Sequence, residues 1–189
     1  MSYKVYRTQA IVLRALPARE ADRLLALYTA EFGLLFARAQ GLRREASKMR
    51  YALTELSLAD VALVRGKAGW RVTGAVPRHP APSERPRLLA LARIGALVTR
   101  LVHGEERNDA LMGTLRASHE ALQRGEDPAL IEAVAVSRIL FALGYVAPTE
   151  DDALLFSDDA FAEDALAAHQ ARLSQLVRRI NQALAETHL

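Results

Sequence analysis

The sequence predicts an α+β protein in which a five-stranded β-barrel precedes an α-helical bundle. Three observations predict it. Residues 8–76 consist of short runs rich in Val, Ile, Leu and Thr that alternate with polar residues or stop at Gly and Pro, as half-buried strands do. From residue 87 onward, apolar side chains recur three and four apart, the spacing of a helix face. Between these regions lie Pro77, Pro80, Pro82 and Pro86, four of the seven prolines, so no regular element is expected to cross residues 77–86.

The strands are expected at Thr8–Leu16, Arg23–Thr29, Leu34–Gln40, Ala59–Val64 and Trp70–Val76. The first ends at Pro17 and the second breaks at Glu31-Phe32-Gly33; its ADRLLALYTAEF run reads equally well as a helix on propensity. Gly41 follows the third. Gly66 and Gly69 suit a hairpin loop joining the fourth and fifth. In the last strand Trp70, Val72 and Gly74 are expected on one face, with Arg71, Thr73 and Ala75 on the other. Met49, Leu53 and Leu56 lie at helical spacing, which predicts a short helix within 47–56. Three strands, a helix and two strands in about 75 residues form the element order of an OB-fold barrel.

Each later helix carries its own start or stop signal. Arg87–Gly104 presents Leu88, Leu91, Ile94, Leu97 and Leu101 at 3–4 spacing. Asn108-Asp109 opens a second helix that runs through Leu122 and closes at Gly125. Asp127-Pro128 supplies a cap and a first-turn proline for a third, which ends at Gly144. Residues 162–187 form one long or two short helices. The expected domains are therefore 1–78 for the OB-fold, 79–86 for a Pro-rich linker and 87–189 for the helices.

Charge divides along the same boundary. Residues 1–80 hold fourteen Lys and Arg against six Asp and Glu, a balance of +8, whereas residues 81–189 hold eleven against sixteen, a balance of −5. Such polarity suits a polyanion on the first part. The chain has no cysteine, which excludes disulfides and thiolate-held zinc and fits an intracellular protein. No signal peptide and no membrane span is read from the sequence.

No catalytic motif, cofactor site or metal site is found. The five histidines lack metal-ligand spacing, and His119-Glu120 fails the two-histidine zinc pattern at its last position. Asp151-Asp152 and Asp158-Asp159 lack the spacing of a calcium loop and read as caps or solvated turns. The positive signal is Gly41-Leu42-Arg43-Arg44-Glu45-Ala46-Ser47-Lys48-Met49-Arg50, with Arg43, Arg44, Lys48 and Arg50 in eight residues and Ser47 as a candidate N-cap. Arginine forks and free N–H groups at a helix start meet phosphates well. Arg7, Arg14, Arg38, Arg65, Lys67 and Arg71 lie on or beside neighbouring strands and extend one basic groove on a closed barrel. Tyr3, Tyr6, Tyr28, Tyr51 and Trp70 are stacking candidates for unpaired bases, with a core role the alternative for Tyr28 and Trp70.

Ala10-Ile11-Val12-Leu13-Arg14, Glu20-Ala21-Asp22-Arg23-Leu24-Leu25, Tyr28-Thr29-Ala30-Glu31-Phe32-Gly33, and Ala39-Gln40-Gly41-Leu42-Arg43-Arg44 with Ser47-Lys48-Met49-Arg50 together resemble the bacterial RecO recombination-mediator family. Arg138-Ile139-Leu140 to Leu143-Gly144-Tyr145 resembles that family's helix end. The resemblance is dense over 8–76 and sparse over 86–145. It implies an OB-fold with a helical domain that binds and anneals single-stranded DNA, binds duplex DNA, and assists recombinase loading. It further implies a RecR-like partner, contact with the tail of single-stranded-DNA-binding protein, and a bacterial, cytoplasmic, nucleoid-associated setting. Carried over by position, Arg14, Arg23, Arg43, Arg44, Lys48 and Arg50 become DNA contacts and Arg138 a partner contact. The chain departs from the family at Gln40, where Lys is usual, and at Ala133–Val136, in the segment before Arg138. The alternative reading is an OB-fold protein–protein scaffold or an RNA-binding module.

Overall fold

The computed structural model describes residues 4–18, 22–42, 47 and 49–186. Five strands, β1 (Val5–Pro17), β2 (Arg23–Thr29), β3 (Gly33–Ala39), β4 (Leu58–Gly66) and β5 (Gly69–His79), close into a barrel of order β1-β2-β3-β5-β4. All pairings are antiparallel except β3 with β5, where Ala37, Arg38 and Ala39 face Trp70, Arg71 and Val72. This is the OB-fold expected from the sequence. The segment ADRLLALYTAEF contributes a strand in spite of its helical propensity, because β2 fills the place between β1 and β3 and buries Leu25 and Leu27 inside the barrel.

Five helices follow: α1 (Arg85–Leu101), α2 (Asp109–Arg124), α3 (Pro128–Ala142), α4 (Glu163–Ala171) and α5 (Leu173–Glu186). Local chemistry sets their ends. The Asn108 side chain accepts from Leu111 N–H, Asp127 accepts from Ala129 N–H, and Gly125 closes α2 in the left-handed conformation. Residues 162–186 resolve into two helices, broken at Arg172. No described helix is long and apolar enough to cross a membrane.

Three local expectations are corrected. The described residues of 47–56 form successive turns, not a helix. Their polar groups bond to the barrel and to one another: Leu56 N–H donates to Val12 O at 2.7 Å, Val12 N–H donates to Ser57 O, and the Ser57 hydroxyl donates to Ala52 O or Thr54 O. Ser47 accordingly accepts Arg50 N–H through its backbone carbonyl, in a turn. Second, β5 continues through Pro77 to His79. Beyond Val72 it has left β3 and has only β4 beside it, an edge position where a missing N–H is tolerated. Third, a register shift between Ala62 and Leu63 skips Thr73, so Ala75, not Gly74, packs on the barrel core past that point.

The barrel interior holds one core, built from residues such as Val12, Leu27, Leu35, Leu63, Trp70 and Val72. A second core lies outside the barrel and joins it to the helices. Ile11, Leu13, Ala26, Tyr28, Leu34 and Leu58 face outward and pack with Leu91, Ile94, Leu111, Leu115 and Ile139. α1 approaches β1 closely at Gly95, where an added Cβ would sit 3.4 Å from the Leu13 side chain.

Candidate nucleic-acid interface

Strand alternation decides which barrel cations reach solvent. On β3 the side chains of Leu35, Ala37 and Ala39 point inward, while Phe36 and Arg38 point outward. On β5 Trp70 and Val72 point inward and Arg71 outward. The parallel pairing places Arg38 directly beside Arg71. Like charges opposed across strands destabilise a sheet. An anion between them relieves that repulsion. Lys67, from the two-residue β4–β5 loop, joins them around a concavity of about 220 Å³ that Gln40 and the Gly66 and Gly69 backbone help to line.

The other predicted cations occupy different places. Arg23 and Arg50 line a cleft of about 610 Å³ at the end of β2, beside the β3–β4 connection. Arg14 lines a cleft of about 390 Å³ between β1 and α1. Arg7 lies on the outer face of β1, β4 and β5. Arg43, Arg44 and Lys48 lie outside the described residues. Arg65 pairs with Glu105 at 3.3 Å and lies over the Trp70 ring, 5.4 Å from its centroid, so its charge is already met by an acid. Among the described residues, the cations expected to share one groove thus lie in several patches around the barrel.

Arg138 is half-buried inside the helical domain. Its guanidinium donates to Leu155 O at 2.7 Å, Ser157 O at 2.5 Å and the Thr114 hydroxyl at 3.1 Å, and lies over Phe161. Burial pushes its pKa down from the usual arginine value, and Asp158 opposes that shift.

Of the stacking candidates, Tyr3 lies outside the described residues. Tyr28 is fully buried against the helices, and burial, helped by Asp109 and Glu106, pushes its hydroxyl pKa up to about 12. Trp70 is only 5% exposed and packs edge-on against Tyr6 and at 5.0 Å from Phe32, as a plug in the barrel. Tyr51, at 78% exposure beside Arg50, is open to solvent. Sequence reading missed Phe36, 49% exposed and two residues from Arg38 on the same outer face. The alternation of Leu35, Phe36, Ala37 and Arg38 carried that signal. It also missed Arg100, which faces Arg14 from α1 and is marked in sequence by its place on the polar side of the Leu97/Leu101 stripe.

Among the described residues no group of three His, Cys, Asp or Glu side chains is arranged to hold a metal ion. Asp152 is fully buried. It accepts from the Thr149 N–H and hydroxyl and from Arg179, so it serves as a structural acid.

Residues 1–75, which make up nearly all of the barrel, match the family model described as "Recombination protein O N terminal". Over 144 residues, more than the barrel holds, the chain is 31% identical to a DNA repair protein RecO of Dehalococcoides mccartyi, covering 74% of this chain and 56% of that one. It is 30% identical over 144 residues to the RecO of Rubrobacter xylanophilus, covering 75% and 58%. Over 74 residues it is 43% identical to the RecO of Heliobacterium modesticaldum, covering 39% and 27%. The chain therefore spans little more than half the length of the curated relatives it matches. In its N-terminal barrel, and in a similarity that runs on past it, the chain matches the RecO family.

Proposed function

We propose that this chain is a non-enzymatic DNA-binding protein of repair and recombination, whose barrel holds single-stranded DNA by its phosphates and anneals complementary strands. Duplex DNA binds the same cations. Work with a RecR-like partner and with the tail of single-stranded-DNA-binding protein, in aid of recombinase loading, completes the reading. Support for these partners and for annealing comes from the RecO likeness.

One observation carries the DNA-binding part. The described cations of the barrel are mostly free of acids: Arg7, Arg14, Arg23, Arg38, Arg50, Lys67 and Arg71 have no ion pair, and only Arg65 and Arg78 do. From residue 85 on, seven of eleven arginines are ion-paired. The contrast follows the supply of acids: residues 1–80 hold six against fourteen Lys and Arg, so most barrel cations have no acid to meet, whereas residues 81–189 hold sixteen against eleven. Unpaired guanidiniums concentrated on a barrel suit a polyanion.

The test is fluorescence anisotropy of a labelled single-stranded oligonucleotide at several salt concentrations. The Arg38→Ala, Lys67→Ala, Arg71→Ala triple variant is expected to lose about two units of log-log salt slope, roughly 0.7 for each phosphate contact on a single strand. Annealing of two complementary strands should slow in parallel. Absence of wild-type binding at low salt would overturn the reading.

A further inference from the structure

Two of the barrel clefts meet at one residue. Glu55 lines both the cleft between β1 and α1, with Arg14 and Arg100, and the cleft beside β2, with Arg23 and Arg50. The neighbours of Glu55 continue the join, since Arg14 lines the first cleft and Ala15 the second, as do Leu56 and Thr54. The two clefts, about 390 Å³ and 610 Å³, thus adjoin as the two lobes of a trough that Glu55 divides.

Arg100 is the unexpected member. Of the eleven arginines after residue 80, seven are ion-paired and Arg138 is tied to two carbonyl oxygens. Arg85, Arg100 and Arg178 have no ion pair among the described residues, and of these Arg100 shares a cleft with the barrel cation Arg14. Glu55 does not neutralise them. Its Oε1 accepts Ala15 N–H at 2.7 Å, which fixes the carboxylate on β1, and no cation lies within ion-pair distance of it among the described residues. The first lobe has an apolar floor of Leu13, Leu56, Ala92 and Ala96, with the guanidiniums at its rim. Charged rim and apolar floor suit a chain of phosphates joined by sugars and flat bases.

We propose that a single nucleic-acid strand runs along this trough from Arg23 and Arg50, past Glu55, to Arg14 and Arg100, so that α1 of the helical domain is part of the interface. The inference rests on the reading of the barrel as DNA-binding. Glu55 is the one acid among the described residues that line the path, and it repels phosphate at the join. It therefore makes the strand cross there with its backbone turned away.

The experiment compares the full chain with Arg100→Ala, Arg100→Glu and Glu55→Gln in anisotropy titrations of a single-stranded oligodeoxynucleotide across salt concentrations. Arg100→Ala is expected to lower the salt slope by roughly 0.7 unit and to weaken binding about five- to tenfold near 0.1 M salt. Arg100→Glu should weaken it further, and Glu55→Gln, which keeps the acceptor for Ala15 N–H, should tighten it. Because the chain has no cysteine, a second readout needs one substitution. Ala96→Cys carrying a benzophenone should crosslink to the oligonucleotide, whereas Ala185→Cys, on the exposed side of α5, should not. Wild-type binding with unchanged affinity and slope in the Arg100 variants, or equal crosslinking from both cysteines, would sink this inference and leave the barrel reading standing. No wild-type binding at low salt would remove both.

Discussion

The His119 imidazole on α2 donates from Nε2 to the Leu56 carbonyl oxygen at 3.0 Å, and thereby ties the helices to the β3–β4 connection at the one described non-glycine residue with positive φ. Leu56 N–H donates to Val12 O on β1, so one residue links the barrel, its longest connection and the helical domain. Removing the imidazole leaves a buried carbonyl without its donor and opens a hole in the shared core. His119→Ala is expected to cost about 3 kcal/mol, read as a lowered denaturant midpoint.

The same histidine makes stability depend on pH. Its side chain is fully buried and its Nδ1 has no partner. Burial lowers its pKa, the bond to Leu56 opposes this, and His79, whose ring centroid lies 6.1 Å away, adds to it. His169, also buried, is lowered by burial and by Arg172 and Arg138. A base whose folded pKa lies below its unfolded value binds more protons when unfolded, so its contribution is complete above the unfolded value of about 6.5 and is lost as pH falls below it. Chemical denaturation at pH 7.5 and 5.5 should show lower stability at 5.5. His119→Gln should shrink the difference, and an unchanged difference in this variant would place the titration elsewhere.

Gly33 holds the start of β3 against the α1–α2 connection. Its φ is +62°, and an added Cβ would lie 2.0 Å from Glu106 O, with backbone and not a flexible side chain in the way. Gly33→Ala is expected to destabilise by about 2–4 kcal/mol, from left-handed strain and a forced backbone shift. Thermal unfolding by circular dichroism checks it.

Asp152 anchors the chain between α3 and α4. Both its oxygens receive Arg179, at 2.9 and 2.8 Å, and Arg172 lies 3.5 Å away. The bonds from Thr149 and Arg179 hold its pKa below the usual carboxylate value against the opposing effect of burial. Stability from this carboxylate is present above about pH 4 and is lost as pH falls through its lowered folded value. Asp152→Asn leaves Arg179 short of its counter-charge and should cost about 2–4 kcal/mol at neutral pH, with urea titration as the measurement.

The Arg65–Glu105 pair predicts a contrast between two arginines of one hairpin. Arg71 is unpaired, so Arg71→Ala should reduce the salt slope of DNA binding by roughly 0.7 unit on a single strand. Arg65→Ala should reduce it far less, because Glu105 already neutralises that charge. Anisotropy titrations of the two variants side by side decide this, and equal losses would show that Glu105 yields Arg65 to the nucleic acid.

What the sequence by itself determined was local. Asn108, Gly125 and Asp127-Pro128 announced helix ends because a cap bonds to backbone only two or three residues away. Gly66 and Gly69 announced the β4–β5 hairpin because a two-residue loop demands its own φ. The order of strands followed from alternation and breakers, and the basic character of the barrel from counting. Tertiary structure alone decided the rest. Met49, Leu53 and Leu56 keep helical spacing, yet Leu56 bonds to Val12 and His119, partners 44 and 63 residues away, and the segment turns instead. Pro77 joins a strand because β3 has already left its side. Tyr28 and Trp70 look alike as aromatic residues, but one is sealed by helices and the other plugs the barrel. Which arginines are free depends on which acids fold next to them: Glu105 pairs with Arg65, and no described acid comes within ion-pair distance of Arg100. Hydrogen bonds and charges act through space, and the distances that rank them exist only once the barrel has closed and the helices have docked on it.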